Sequence, residues 1–161
     1  MKSFSSKIIA LLAIRHTPRR FESVLDETLV LKNNIQEVSR LSSFQKAFFE
    51  KMEIEKSLAR QIRLAVEEAV VNVIEYAYPA GVEGNVEVRM QTDGRRLRVV
   101  IVDSGVPFDP TQKEGIDTSL TAEERQVGGL GIHLLREIMD SVNYEYINGR
   151  NTLTLIKKTK E

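Results

Sequence analysis

Leu97-Arg98-Val99-Val100-Ile101-Val102-Asp103-Ser104-Gly105-Val106-Pro107-Phe108-Asp109-Pro110 is the stretch that decides the fold of this chain. Its first half reads as a strand. Leu97, Val99 and Ile101 make one face, Arg98, Val100 and Val102 the other, and β-branched residues dominate. The pattern stops at Asp103, because Gly105, Pro107 and Pro110 forbid a regular helix or a central strand there. A carboxylate therefore sits where a buried strand gives way to an irregular loop, a common place for ligand sites. Such a carboxylate can accept a hydrogen bond from an exocyclic amine, as in adenine, and Gly105 lets the backbone approach a flat ring closely. The same residues also fit a plain strand-to-turn junction with Asp103 as turn former. On this stretch alone both readings stand.

Upstream lies the partner of that strand. Val86, Val88 and Met90 alternate with Glu87, Arg89 and Gln91, and Thr92-Asp93-Gly94-Arg95 carries the Asp-Gly hairpin signal. Before it, residues from about Ser57 to Tyr78 repeat with helical period, with Leu58, Ile62, Ala65, Ala69, Val73 and Ala77 as the buried stripe. Pro79 and Gly81 end that helix. Glu67, Arg60 and Arg63 are read as its solvated face, and Glu75 as a surface or partner contact.

Glu68 and Asn72 differ from these. They are four apart, so they project from one side of the helix, and Val66, Ala69, Val70, Val71, Val73 and Ile74 surround them. A polar pair in that setting needs a partner or a ligand. A carboxylate one turn before a carboxamide suits hard-cation chemistry: the amide oxygen ligates Mg²⁺ and the carboxylate orients water or takes a proton.

Further upstream, Leu29–Lys32 is a short strand candidate, and Asn33-Asn34 offers a cap to a helix striped by Ile35, Val38, Leu41, Phe44, Phe48 and Met52. In residues 1–20, Lys2 and Lys7 precede the apolar run Ile8–Ile14 as in a signal peptide. Arg15, Arg19 and Arg20 follow at once, however, and no A-x-A cleavage site appears. The run is too short to span a bilayer. Residues 1–20 are read as an extension packing on a domain that occupies 21–161.

Downstream of the opening stretch, residues 111–127 are polar and without period, as in a functional lid, and Thr121 with Glu124 fits a capping box. Gly128-Gly129-Leu130-Gly131 then opens a helix marked by Ile132, Leu135, Ile138 and Met139. A glycine cluster at a helix start exposes backbone N–H groups at the positive end of the helix dipole, as a phosphate site does; it also fits a flexible turn. A second hairpin closes the chain around Asn148-Gly149, with Thr152–Ile156 as its return strand. The order predicts an α+β two-layer sandwich, with helices on one face of a mixed, mainly antiparallel sheet.

Composition narrows the function. The chain has 161 residues, 42% hydrophobic and 29% charged, enough for one domain with a real core. Its formal net charge is +0, so no bulk basic field recruits nucleic acid. There is no Cys, hence no thiolate metal site or cysteine nucleophile, and His16 and His133 lack metal-ligand spacing. No membrane association is expected.

Three signals sit in a fixed order. Leu64-Ala-Val-Glu-Glu-Ala-Val-Val-Asn72, running on to Tyr78, resembles the N-box of GHKL-type ATPases. Asp103-Ser-Gly-Val-Pro-Phe-Asp-Pro110 resembles their first glycine box, and Gly128-Gly-Leu-Gly131 their second. Pro107 stands at the second glycine of the first box, a form similar to the anti-sigma factor serine/threonine-protein kinase branch. Tyr76 stands where close relatives often have His, and Val71 and Val73 replace the usual Thr and Ala around Asn72.

The resemblance covers Leu29 to Lys158 and implies the Bergerat, histidine-kinase-like ATPase fold. It implies Asn72 as the Mg²⁺ ligand and Asp103 on the adenine amine of ATP. Gly105, Pro107 and Phe108 would form the loop beneath the base, and Gly128, Gly129, Leu130 and Gly131 would surround the phosphates. Glu68 would be the catalytic carboxylate. It further implies a cytoplasmic homodimer that phosphorylates a STAS-type anti-sigma factor antagonist and silences an alternative sigma factor, and so regulates transcription. A competing reading is a nucleotide-gated module that sequesters a partner without phosphoryl transfer; Glu68 favours the kinase. A histidine kinase would want a phosphorylatable His on an upstream helix, and His16, beside Thr17-Pro18, serves poorly.

Overall fold

Alternating apolar residues pair across the strands and set the register of the whole sheet. The computed structural model describes residues 23–109, Thr111 and residues 129–160. In chain order the elements are strand β1 (Leu25–Lys32), a 3-10 turn (Ile35–Glu37), helices α1 (Val38–Met52) and α2 (Lys56–Tyr76), strands β2 (Asn85–Thr92) and β3 (Arg96–Asp103), helix α3 (Gly129–Ile138), and strands β4 (Ser141–Ile147) and β5 (Arg150–Lys158). The sheet order is β1-β2-β3-β5-β4, and every pairing among these strands is antiparallel. The three helices cover one face, so the expected α+β sandwich forms, with no parallel pair among the described strands.

Val88 lies opposite Ile101, which lies opposite Leu153; Met90, Val99 and Leu155 form the next row. These six residues are all buried, and they meet Leu41, Phe48, Ile62, Val66 and Val70 from the helices. Each such side chain contributes about 1.5–3 kcal/mol through apolar burial. Phe48 and Phe49 pack edge to face, with ring centroids 6.1 Å apart. In the second hairpin Asn148 and Gly149 both take positive φ, 53° and 75°, the geometry that favours an Asn-Gly pair.

Some boundaries differ from the sequence expectation. β1 starts four residues before Leu29, at Leu25. α2 starts at Lys56 because the Glu55 carboxylate caps it, accepting from the N–H groups of Ser57 at 2.8 Å and Leu58 at 2.9 Å. It ends at Tyr76 rather than Tyr78. Tyr78 leaves the helix so that its hydroxyl can donate to the Asn85 carbonyl at 2.8 Å and accept from the Ser104 N–H at 3.1 Å. That phenol ties the start of β2 to the loop after β3.

Glu67 and Arg63 do not belong to a solvated face. Both are half-buried where α2 meets α1. Arg63 donates to Ser42 Oγ at 2.6 Å, and Glu67 Oε1 accepts from Nε2 of the fully buried Gln45 at 3.3 Å. Helical spacing alone does not show that a polar residue of α1 occupies a core position opposite them. Arg60 and Glu75 are exposed, as expected. The extension 1–20, the lid over 112–127, its short helix near Thr121, Pro110 and Gly128 lie outside the described residues.

Candidate functional site

The alternation of β3 carries one step past its last apolar residue. Asp103 has the parity of Leu97, Val99 and Ile101, so its side chain enters the helix-covered face and is only 5% exposed. Burial raises its pKa above the ordinary 3.8, and two hydrogen bonds oppose that shift in part. Asn151 Nδ2 and the Gly105 N–H both donate to Asp103 Oδ1 at 2.8 Å. Among the described residues no hydrogen bond reaches Oδ2, and Asp103 lines a cleft.

That cleft lies between α2, α3 and strands β3, β4 and β5, and spans about 510 Å³, part of it open to solvent. Its walls are apolar: Ala69, Val73, Ile101, Ile132, Leu135 and Leu153. Four polar side chains interrupt them, Asn72, Asp103, Tyr144 and Asn151. A mainly apolar slot with a few convergent polar groups is the usual build of a small-molecule site.

Asn151 and Tyr144 escaped the sequence reading. Asn151 stands directly opposite Asp103 in the β3–β5 register. Besides Asp103, its amide reaches the carbonyls of Val106 at 3.1 Å and Gly105 at 3.3 Å. Its Oδ1 accepts from the Tyr144 hydroxyl at 2.6 Å, and that hydroxyl accepts from the Phe108 N–H at 3.2 Å. One chain of hydrogen bonds thus holds the whole loop from Gly105 to Phe108. The parity of Asn151 with Leu153 and Leu155 was the available signal: an Asn at a core position needs a buried partner.

Gly105 also has a packing reason of its own. A Cβ there would lie 2.3 Å from the Ala77 carbonyl oxygen, and the Val106 N–H donates to that same oxygen at 2.7 Å. The missing side chain lets the loop close on the end of α2. Pro107 borders the outer side of the loop, and Phe108 lines the cleft.

At the other end of the cleft, α3 runs against α2. A Cβ on Gly131 would lie 3.1 Å from Glu68 Oε2 and 3.2 Å from Asn72 Nδ2. Glu68 and Asn72 of α2 therefore meet Gly131, which is remote from both in sequence. Gly129 and Leu130 form the first helical residues of α3. Among the described residues, no group of three or more His, Cys, Asp or Glu could hold a metal ion. The donors present are hard oxygens, the Asn72 amide and the Glu68 carboxylate. That set fits Mg²⁺ only if phosphate oxygens and water supply the remaining ligands, which is how Mg²⁺ is ordinarily held. No helix among the described residues is long and apolar enough to cross a membrane.

The fold and this cleft define a nucleotide-binding sandwich, and comparison with known proteins agrees: the chain belongs to the histidine kinase-like ATPase domain family, whose model matches residues 31–157. Among curated proteins it is similar to the serine/threonine-protein kinase BtrW of Bordetella bronchiseptica, 29% identical over 94 residues, 58% of this chain and 66% of the relative. It is also similar to the serine-protein kinase RsbW of Bacillus subtilis, 33% identical over 92 residues, 55% of this chain and 58% of the relative. The chain thus spans less than two thirds of the length of either. Among solved structures, the RsbU and RsbW domains of a Mycobacterium tuberculosis protein share its fold, with TM-score 0.57, 16% identity and coverage of 83% of this chain and 32% of theirs. A blue-light activated histidine kinase of Erythrobacter litoralis gives TM-score 0.50 at 17% identity, over 77% of this chain and 41% of its own.

Proposed function

We propose that residues 21–161 form an ATP-dependent serine/threonine protein kinase of the anti-sigma factor type. The observation that carries this reading is the line of polar groups along one cleft. Asp103 and Asn72 both line it, and Glu68 lies beside Asn72 where Gly131 of α3 meets α2. An adenine amine would donate to the free Oδ2 of Asp103, with the ring against Phe108 and the aliphatic walls. The start of α3, Gly129 through Leu130 to Gly131, would present backbone N–H groups to the phosphates, and by the motif resemblance Gly128 would join them. Asn72 would give its amide oxygen to Mg²⁺, which supplies charge neutralisation on the phosphates when bound.

Glu68 would accept the proton from a hydroxyl acceptor. The names of the relatives support a protein serine or threonine as that acceptor. By the same likeness, the partners are a STAS-type anti-sigma factor antagonist, which is phosphorylated, and an alternative sigma factor, which is sequestered, in a cytoplasmic homodimer. Titration calorimetry with Mg²⁺-ATP, followed by transfer of label from γ-labelled ATP to proteins co-purified from the native host, tests the reading. Binding of ATP and a partner with no transfer would leave a nucleotide-gated binding module instead.

A further inference from the structure

The sheet has two faces, and the helices cover one. On the other, Val30 of β1, Glu87 of β2 and Val102 of β3 stand opposite one another in register. They belong to an open groove that runs on past the loop 104–107 to Tyr146 of β4 and Arg150 of β5, so it crosses all five strands. At about 4.8 Å per strand spacing, that is a path of about 19 Å. Exposed apolar side chains gather along it: Val30, at 50%, Val106, at 49%, and likewise Val82 and Tyr146. Gathered in this way, they mark a surface that something covers. Val106 also lines the cleft on the other side of its loop, so an occupant of the groove bears on that loop from behind.

The groove is acidic. Glu83 and Glu87 line it, with the buried Asp103, against one base, Arg150, whose guanidinium lies 4.0 Å from Glu87. The sequence holds a segment of matching chemistry. Residues 1–22, which lie outside the described residues, carry five of the chain's 23 Lys and Arg but one of its 23 Asp and Glu. The chain is neutral as a whole, so the rest of it carries the corresponding surplus of acid. Within the segment, Lys7 and Arg15 bracket the apolar run Ile8-Ile-Ala-Leu-Leu-Ala-Ile14. A run of that length can span about 20 Å, the length of the groove. The chain between Ile14 and Ser23 can span about 30 Å, and the groove lies about 20 Å along β1 from Val24. The run therefore reaches it.

We propose that residues 8–14 dock into this groove of their own chain, the apolar run against Val30, Val82, Val102 and Val106, and Lys7 and Arg15 toward Glu83 and Glu87. Docking covers apolar surface on both sides, and the basic flanks set opposite charge against the two glutamates. It also withholds the outer side of the loop 104–107 from other proteins. The inference is independent of the phosphoryl-transfer reading, because neither nucleotide nor acceptor enters it.

The test uses the full chain, which has no Cys of its own. Ala10→Cys is combined with Val82→Cys in the groove or, as a control, with Lys46→Cys, exposed on α1 on the opposite side of the sheet. Mild oxidation should close the disulfide between positions 10 and 82 within one chain at least about tenfold faster than the control, because docking raises the effective concentration of the thiols above that of a loose tether. Val30→Asp, a change on the exposed side of an edge strand, should bring the rate down to that of the control. Equal rates in the two pairs would overturn the proposal, as would an unchanged rate with Val30→Asp. Disulfide-linked dimers from Ala10→Cys mixed with Val82→Cys, formed in place of the internal bridge, would overturn it in favour of a second copy in the groove. A second measurement needs no cysteine. Trypsin should cut the native chain after Lys7 and Arg15 about tenfold more slowly than it cuts Val30→Asp, since cleavage tracks the undocked fraction. Equal cleavage of the two would overturn the proposal even if a cysteine pair failed to fold.

Discussion

Asn151 on β5 faces Asp103 on β3, and its amide donates to the aspartate at 2.8 Å while also reaching the carbonyls of Gly105 and Val106. One side chain therefore orients the carboxylate and holds the loop that Phe108 belongs to. Asn151→Ala should remove all of this and strand the Tyr144 hydroxyl. A hydrogen bond to a charged group is worth about 1.5–3 kcal/mol, so urea unfolding should report a loss of that order. Calorimetry should show weaker ATP binding in the same variant. Native stability in Asn151→Ala would mean that the network is ornamental.

Asp103 gives a pH signature. Its pKa is raised in the free protein by burial, so its ionised form is the costly one, and its contribution to stability is lost as pH rises through the folded-state pKa. An adenine amine donates more strongly to the ionised carboxylate than to the acid and so pulls the pKa back down. ATP affinity should therefore be flat at neutral pH and fall on acidification, beginning above the pH where an ordinary aspartate of pKa 3.8 would titrate. Asp103→Asn should weaken adenine nucleotides and abolish that acid limb. Titration calorimetry across pH in both proteins checks it, and an acid limb that survives in Asp103→Asn would assign it to another group.

The prediction for Gly131 concerns geometry rather than stability. It lies in the first turn of α3, where Ala would gain about 1 kcal/mol of helix propensity over Gly. Yet its Cβ would press on Glu68 Oε2 and Asn72 Nδ2, at 3.1 and 3.2 Å. Gly131→Ala should thus keep thermal stability within about 1 kcal/mol, while phosphoryl transfer falls by about tenfold or more, since displacement of positioning groups is costly. Equal loss of fold and transfer would point to packing alone.

Much of this architecture was readable from residues 97–110 outward, and the misses share a cause. Periodicity reports faces where apolar residues mark them. Asp103 and Asn151 continue the core face of their strands as polar residues, so an eye following apolar alternation stopped at Ile101 and began again at Leu153. The parity was there; the cross-strand pairing that makes it a site was not, because register between remote strands depends on the whole sheet. Tyr144 was invisible for the same reason. Glu67 was misplaced because the reading treated charges on an amphipathic helix as solvated, and the buried Gln45 on α1 that receives it breaks that rule. The meeting of Glu68 and Asn72 with Gly131 came from a family resemblance, not from spacing.

Glu67→Gln tests that correction. The substitution leaves an oxygen for Gln45 but removes the charge that lies 3.9 Å from half-buried Arg63. Stability should fall by about 0.5–1.5 kcal/mol, read by urea unfolding, with ATP affinity native. A fully solvated Glu67 would show no loss.

Glu68→Gln separates chemistry from binding. The glutamine is nearly the same size, so the contact with Gly131 persists, and Asp103, which lines the cleft away from Gly131, is untouched. Fold and ATP affinity should hold. A carboxamide cannot take the acceptor proton, however, and Asn72 and the α3 backbone cannot take it either. Transfer from γ-labelled ATP to the protein acceptor should drop by about two to four orders of magnitude, the scale of general-base loss. Glu75, exposed and on the far side of Asn72, should give a native rate as Glu75→Gln. The comparison is made at saturating ATP, so that weaker nucleotide binding cannot imitate the effect. A native rate in Glu68→Gln would remove the proton-acceptor assignment while leaving the nucleotide cleft intact.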